Sequence, residues 1–212
     1  MPDQEKNLPT VDVREDDLLA LSADVLNTLL RDHTTGRNIF WATHDYEASG
    51  PEYDYHAQIL PHLITGEHGM VIRPRVLKTK AEQADRSKDM AEVFTPAWVV
   101  KKMVDYVDID IHSRTLELTC GEAPFLVSRY DATTGEPINI GERVGILDRK
   151  LRLVNGQQLS DEEWLAQVRQ AFESTYGYEW QGDSLLLARE NLLFTFRYAH
   201  RIARKQRKTQ RP

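Results

Sequence analysis

The stretch Thr115–Asp131, TLELTCGEAPFLVSRYD, runs from a short apolar segment through one glycine to a proline and a second apolar segment. TLELTC is short and alternates enough to predict a buried strand, with Gly121 supplying the turn. Pro124 suits the first position of a helix over PFLVSRY, where its missing N–H costs nothing. Strand, glycine turn and helix start form the arrangement that nucleotide-type folds use for ligands, because the helix N-terminus presents N–H donors and a positive partial charge. A single glycine falls short of the GxGxxG fingerprint. The stretch therefore reads equally as an ordinary strand, turn and helix, and the flanking sequence has to decide.

Downstream, Val144, Leu147, Leu151 and Val154 share one helical face, and Asn155-Gly156 ends that run. Ser160 and Glu163 form a capping box for the helix DEEWLAQVRQAFEST. TYGYEWQ predicts a second strand with Glu179 near its carboxyl end, and Asp183 is placed to cap a long helix, SLLLARENLLFTFRYAHRI. A strand followed by an acid is how such folds hold ribose hydroxyls, although Glu117 and Glu179 lie 62 positions apart rather than the ~20 of a plain βαβ unit. The intervening helices, 133–174, are expected to be an insertion packed outside the sheet.

Upstream, Thr95 and Pro96 predict an N-cap and first position for a helix striped by Val99, Val100, Met103, Val104 and Val107. That helix start also offers unpaired N–H groups to a carboxylate. Asp12 with Glu15 predicts a capping box opening a helix marked by Leu18, Leu21, Val25 and Leu29, closed by TTGR. Residues 37–90 mix aromatics with turn residues and contain a strand-like GMVIRPRVL. His56, His62 and His68 recur at a spacing of six, which shares no helical face, and acidic ligands are not arranged around them at metal-site spacing, so a metal site is not expected.

The 212 residues suffice for one sizeable core, and 41% hydrophobic with 28% charged residues is ordinary for a soluble globular chain. No apolar run is long enough to span a membrane, and the acidic N-terminus is unlike a signal peptide, which together predict a cytoplasmic protein. The lone Cys120 excludes an internal disulfide and a cysteine-built zinc site. Net charge is −6, but the tail 197–212 holds seven Arg or Lys and no acid, so +7 there leaves −13 on the rest. A basic tail on an acidic body suits contact with nucleic acid, or is simply a solvated terminus.

Three stretches, in order, resemble the amino-terminal half of an adenine-specific DNA methyltransferase, the methylase subunit of a type II restriction–modification system. EVFTPAWVVKKMVD resembles the family's Tyr/Phe-Thr-Pro segment. LELTCGEAPFL resembles its Asp-Pro-Ala-Cys-Gly-Ser-Gly-Gly-Phe-Leu loop. YGYEWQGDSLLLARENLL resembles the segment with the ribose-binding acid and an Ala…Asn-Leu helix. The likeness covers roughly residues 35–196.

The resemblance implies an α/β fold, an incomplete Rossmann-like S-adenosylmethionine-dependent methyltransferase fold with a helical N-terminal region. Its parts would be a mixed region over 1–90, a partial cofactor-binding domain over 91–200 and a basic tail over 201–212. Phe94, Thr95 and Pro96 would lie at the methionine moiety of S-adenosylmethionine. Glu117, Cys120 and Gly121 would line the loop beside it, and Glu179 would bind the ribose.

The resemblance has departures. Glu117 stands where the family has Asp, and Glu122-Ala123-Pro124 replaces Ser-Gly-Gly. No Pro-Pro pair occurs anywhere in the chain, so the family's Asn/Asp-Pro-Pro-aromatic segment, which holds the target amine of a flipped base, is missing. No catalytic residue is therefore assigned. The expected partners are double-stranded DNA and a carboxyl-terminal half or partner subunit. The sheet edge left open is expected to be covered by that partner or by the basic tail. Two other readings stand beside this one. A non-catalytic DNA-binding or assembly subunit would keep the fold without the chemistry. A nicotinamide-dependent oxidoreductase would require a loop richer in glycine than TCGEAP.

Overall fold

The structure, a computed structural model, describes residues 13–89 and 92–209. Its helices are α1 (Glu15–Leu21), α2 (Ala23–Leu30), α3 (Lys80–Asp89), α4 (Ala97–Val104), α5 (Ile146–Asn155), α6 (Asp161–Glu173) and α7 (Gly182–Thr209). Two three-residue strands, β1 (Thr115–Glu117) and β2 (Thr175–Gly177), pair in parallel, with Leu116 opposite Tyr176. Helices α5 and α6 form the crossover between them, as parallel neighbours require.

α7 organises the molecule. A helix that is apolar on several faces must be covered on several faces. Leu186, Leu187 and Phe194 meet Leu18, Leu26, Leu30, Trp41, Ile59 and Ile64 of the N-terminal region in one core. Ala188, Ala199 and Ala203 meet Leu147, Leu151, Val154 of α5 and Trp164, Val168 of α6 in a second. Small alanines on that side let α5 and α6 approach closely. The N-terminal region thus shares its core with α7.

Several expectations hold at residue level. Val144, Leu147, Leu151 and Val154 are buried, and Gly156 follows the last residue of α5. The Ser160–Glu163 capping box opens α6, with Ser160 N–H donating to Glu163 at 2.9 Å and Glu163 N–H returning to Ser160 Oγ at 3.2 Å. The strand ahead of Glu179 is β2.

Others need correcting. The single helix expected over Leu18–Leu29 is two. Ser22 is extended, with φ −175, and its Oγ accepts the Asp24 N–H at 3.2 Å, so it caps α2 instead of continuing α1. Leu18, Leu26 and Leu30 are buried, whereas Leu21 is half exposed. Asp12, expected to cap α1, lies outside the described residues; Arg14 precedes the helix. GMVIRPRVL forms no strand. Pro74 lacks the ladder N–H, and Arg75–Leu77 is a 3-10 turn.

The predicted helix PFLVSRY is also absent. The carbonyls that would continue it are taken by α5: Ile146 N–H donates to Phe125 O and Leu147 N–H to Leu126 O, each at 2.9 Å. Ser128 N–H donates instead to Asp148 at 2.7 Å. Gly145 permits this weave, because a Cβ there would collide with the Leu126 carbonyl.

Asp183 lies inside the first turn of α7 and accepts the Ser184 N–H at 2.8 Å, but its other oxygen belongs to a buried ion cluster. The basic tail is helical as far as Thr209. Arg197 and Arg201 lie over the rings of Phe194 and Tyr198, and Arg207 pairs with Asp161 on α6. The described part of the tail leaves the strand pair uncovered: Leu116, Leu118, Tyr176 and Tyr178 are all about half exposed or more.

Candidate loop site at the strand ends

Parallel strands deliver their carboxyl ends to the same side. Here they bring Leu118–Ala123 beside Tyr178–Gln181. Tyr178 N–H donates to Glu117 O at 3.0 Å, and Cys120 N–H donates to Tyr178 O at 2.7 Å. The next bond is made by a side chain: Gly121 N–H donates to Glu179 Oε2 at 2.7 Å. Glu179 Oε1 accepts the N–H groups of Trp180 and Gln181 at 2.8 and 3.0 Å. Four of the seven residues singled out from sequence, Glu117, Cys120, Gly121 and Glu179, therefore meet.

The loop winds tightly. Thr119, Gly121 and Ala123 all have positive φ, at 54°, 54° and 67°. Gly121 adopts this freely, while Thr119 and Ala123 do so at an energetic cost, so the surrounding contacts must hold them there. Asn191 of α7 is one such contact: its Nδ2 donates to the Glu122 carbonyl at 2.9 Å, and its Oδ1 accepts from Arg129 at 2.7 Å.

The Glu122 side chain points inward. One oxygen accepts the Arg75 N–H at 2.6 Å, and the other accepts the Tyr130 hydroxyl at 2.8 Å. Burial pushes its carboxyl up to about 7 against those bonds. Burial also raises the half-buried Glu117. The Cys120 thiol is pushed up to about 12 by burial, with the charges of Glu179 and Glu117 adding to it, so it is unreactive near neutral pH.

Phe94 reaches this region through Arg75, whose guanidinium lies 4.4 Å from the Phe94 ring centre and donates to Glu92 O at 2.9 Å. Among the described residues no hydrogen bond joins Thr95 or Pro96 to the loop. α4 begins at Ala97 with Pro96 at its N-cap, so Thr95 is not the cap expected. The Ala97 N–H, which the sequence offered to a ligand carboxylate, donates to Asp131 at 2.7 Å.

Beyond Glu179 a cleft of about 500 Å³ opens between Trp180 and the N-terminal region, walled by Phe40, Tyr55, Leu185 and Arg189. Trp180 Nε1 donates to the Tyr55 hydroxyl at 2.7 Å. Behind the cleft, Asp183 is fully buried and holds Arg86 and the Tyr46 hydroxyl at 2.7 Å and Lys78 at 3.3 Å. Burial works to raise its carboxyl, but Lys78 and Arg86 outweigh it and hold it below the usual range. Arg86 also meets Asp45 at 2.6 Å.

Sequence reading missed Arg75, Arg86, Tyr130 and the inward turn of Glu122. Isolated charges in a stretch without periodicity give no sign of burial. Asn191 left one trace, as the Asn of the Ala…Asn-Leu pattern. Among the described residues no cluster of three or more His, Cys, Asp or Glu could hold a metal, and no helix is long and apolar enough to cross a membrane. No protein-family model, curated protein or solved structure matches the chain.

Proposed function

We propose that this chain is the S-adenosylmethionine-binding portion of an adenine N6-specific DNA methyltransferase of a restriction–modification system. The carrying observation is the Gly121–Glu179 bond, which joins two motifs 58 residues apart at the ends of adjacent parallel strands. That is where a doubly wound α/β fold places a cofactor.

The donor set suits the cofactor. Glu117 is a half-buried carboxylate raised by burial, a condition that an ammonium group alongside would relieve. A carboxylate offers about four acceptor directions, and Glu179 spends three on backbone N–H groups, which leaves one for a ribose hydroxyl. When bound, the cofactor would supply an electrophilic methyl group. The residues of this chain would orient it: Glu179 and the Gly121 loop at the ribose end, Glu117 at the amino end, and Phe94 on Arg75 as an apolar wall. Double-stranded DNA is the proposed substrate. The groups that grip the target amine would come from a carboxyl-terminal half or partner subunit, because the chain has no Pro-Pro segment.

A second reading, a non-catalytic DNA-binding or assembly subunit, is favoured by one observation: the Ala97 N–H that would meet the cofactor carboxylate is held by Asp131. Isothermal titration calorimetry with S-adenosylmethionine separates the two. Saturable binding lost on disrupting the loop supports the cofactor reading. No heat of binding, with DNA retained in a gel-shift assay, supports the second.

A further inference from the structure

We propose that a cavity of about 270 Å³ between α5 and α7 binds a small, mostly apolar molecule carrying one uncharged head group, a hydroxyl or an amide. Asp148, Leu151, Arg152 and Asn155 recur at the spacing of one face of α5. Thr195, Ala199, Ile202 and Gln206 do the same on α7. Ile140 and Gly141 close the third side. The floor, formed by Asp148, Leu151, Thr195 and Ala199, is buried, while the rim at Gly141, Arg152 and Gln206 is exposed.

The volume corresponds to about nine water-sized groups at ~30 Å³ each, near the lower bound for ligand cavities. Leu151, Ala199, Ile140 and Ile202 make most of the wall apolar, which selects an apolar body. The observation that points to a ligand is Thr195. Its side-chain oxygen is buried without a hydrogen-bond partner among the described residues, and the residue is only 2% exposed. A buried hydroxyl left unmatched is costly, and a head group that donates to it or accepts from it removes the cost.

The neighbouring polar groups are already engaged. Asn155 donates to the Ala199 carbonyl at 3.3 Å and accepts from Trp164 at 2.7 Å. Asp148 accepts from the N–H groups of Ser128 and Gly145 at 2.7 and 3.2 Å. Arg152 donates to the carbonyls of Gly141 and Arg143. With a carboxylate and a guanidinium both in the wall, a charged head of either sign meets one repulsive partner, so an uncharged head fits best. Thr195 lies thirteen residues along α7 from Gly182, about 20 Å at 1.5 Å per residue, so this site is separate from the strand-end loops and does not depend on the cofactor reading.

The test is an amide NMR titration of the full chain with benzyl alcohol and with toluene, its counterpart without the hydroxyl. Saturable shifts confined to residues around Gly141, Leu151, Thr195 and Ala199 are expected for both. Thr195→Val should weaken benzyl alcohol about three- to tenfold, the value of one hydrogen bond, and leave toluene unchanged. Gly141→Leu should abolish both, because Gly141 lines the mouth and a Cβ there meets no atom within 4 Å, so the backbone accepts a side chain that narrows the entrance. The proposal is overturned by the absence of saturable shifts, by binding that persists in Gly141→Leu, or by equal weakening of both probes in Thr195→Val.

Discussion

Glu122 should make the protein less stable as pH rises from about 4.5 to about 7, and Glu122→Gln should remove that slope. The carboxyl is fully buried, and burial pushes it from an ordinary 4.5 up to about 7. A raised carboxyl binds its proton more tightly in the folded than in the unfolded state, so between those two values unfolding releases a proton. Stability from this group is greatest below the unfolded value, falls as pH climbs toward 7, and is flat above it. At about 1.4 kcal/mol per pH unit the full drop is about 3 kcal/mol, an order of magnitude that coupling to Lys78 and Glu92 will modify.

Glutamine keeps the shape. Its carbonyl can accept the Arg75 N–H, and its amide can donate to the Tyr130 oxygen, so both bonds survive with the second reversed. The assay is urea unfolding of both proteins, followed by circular dichroism, at about pH 5 and about pH 8. The two should be nearly equal at the lower pH, and the variant should gain on the order of 2–3 kcal/mol at the higher. Other raised carboxyls, such as Asp148, cancel in the difference between the two proteins. A stability difference that stays constant with pH would refute the reasoning, because it would mean that Glu122 titrates alike in the folded and unfolded chain.

Four further outcomes are expected. Glu179→Gln should weaken S-adenosylmethionine roughly tenfold to a hundredfold by calorimetry, since a charge-assisted acceptor is lost; an unchanged dissociation constant would place the cofactor elsewhere. The chain alone should transfer no label from radiolabelled methyl donor to DNA, while its DNA binding should be weak and fall steeply with salt; label found on adenine would contradict this. Arg86→Met should cost about 3–5 kcal/mol in thermal or urea unfolding, because among the described residues it leaves the buried Asp183 carboxylate with Lys78 as its only ion-pair partner. Leu118→Lys with Tyr178→Lys should alter stability by less than about 1 kcal/mol, both being exposed, yet reduce self-association or partner capture in sedimentation velocity.

Local sequence determined whatever depends on neighbours along the chain. The α5 stripe, the Asn155-Gly156 stop and the Ser160–Glu163 capping box are short-range patterns in which the residues that interact lie within one or two turns. β2 and the placement of Glu179 after it were legible for the same reason. PFLVSRY could not be read this way. Its apolar composition suits a helix, but the fate of its carbonyls is decided by α5, some 20 residues on, and by the missing Cβ of Gly145. Thr95 lost its capping role in the same manner, to Asp131 more than thirty residues away. Nothing in the residues around Glu122 marks it as buried, and only the convergence of Arg75, Tyr130 and Asn191 makes it so. The basic tail looked like a frayed end until α6 supplied Asp161 and Trp164 for Arg207 to rest on. Backbone propensity and capping act over a few residues, so sequence reveals them. Burial and hydrogen-bond competition are settled by whichever distant segment arrives, and only the tertiary structure shows which one did.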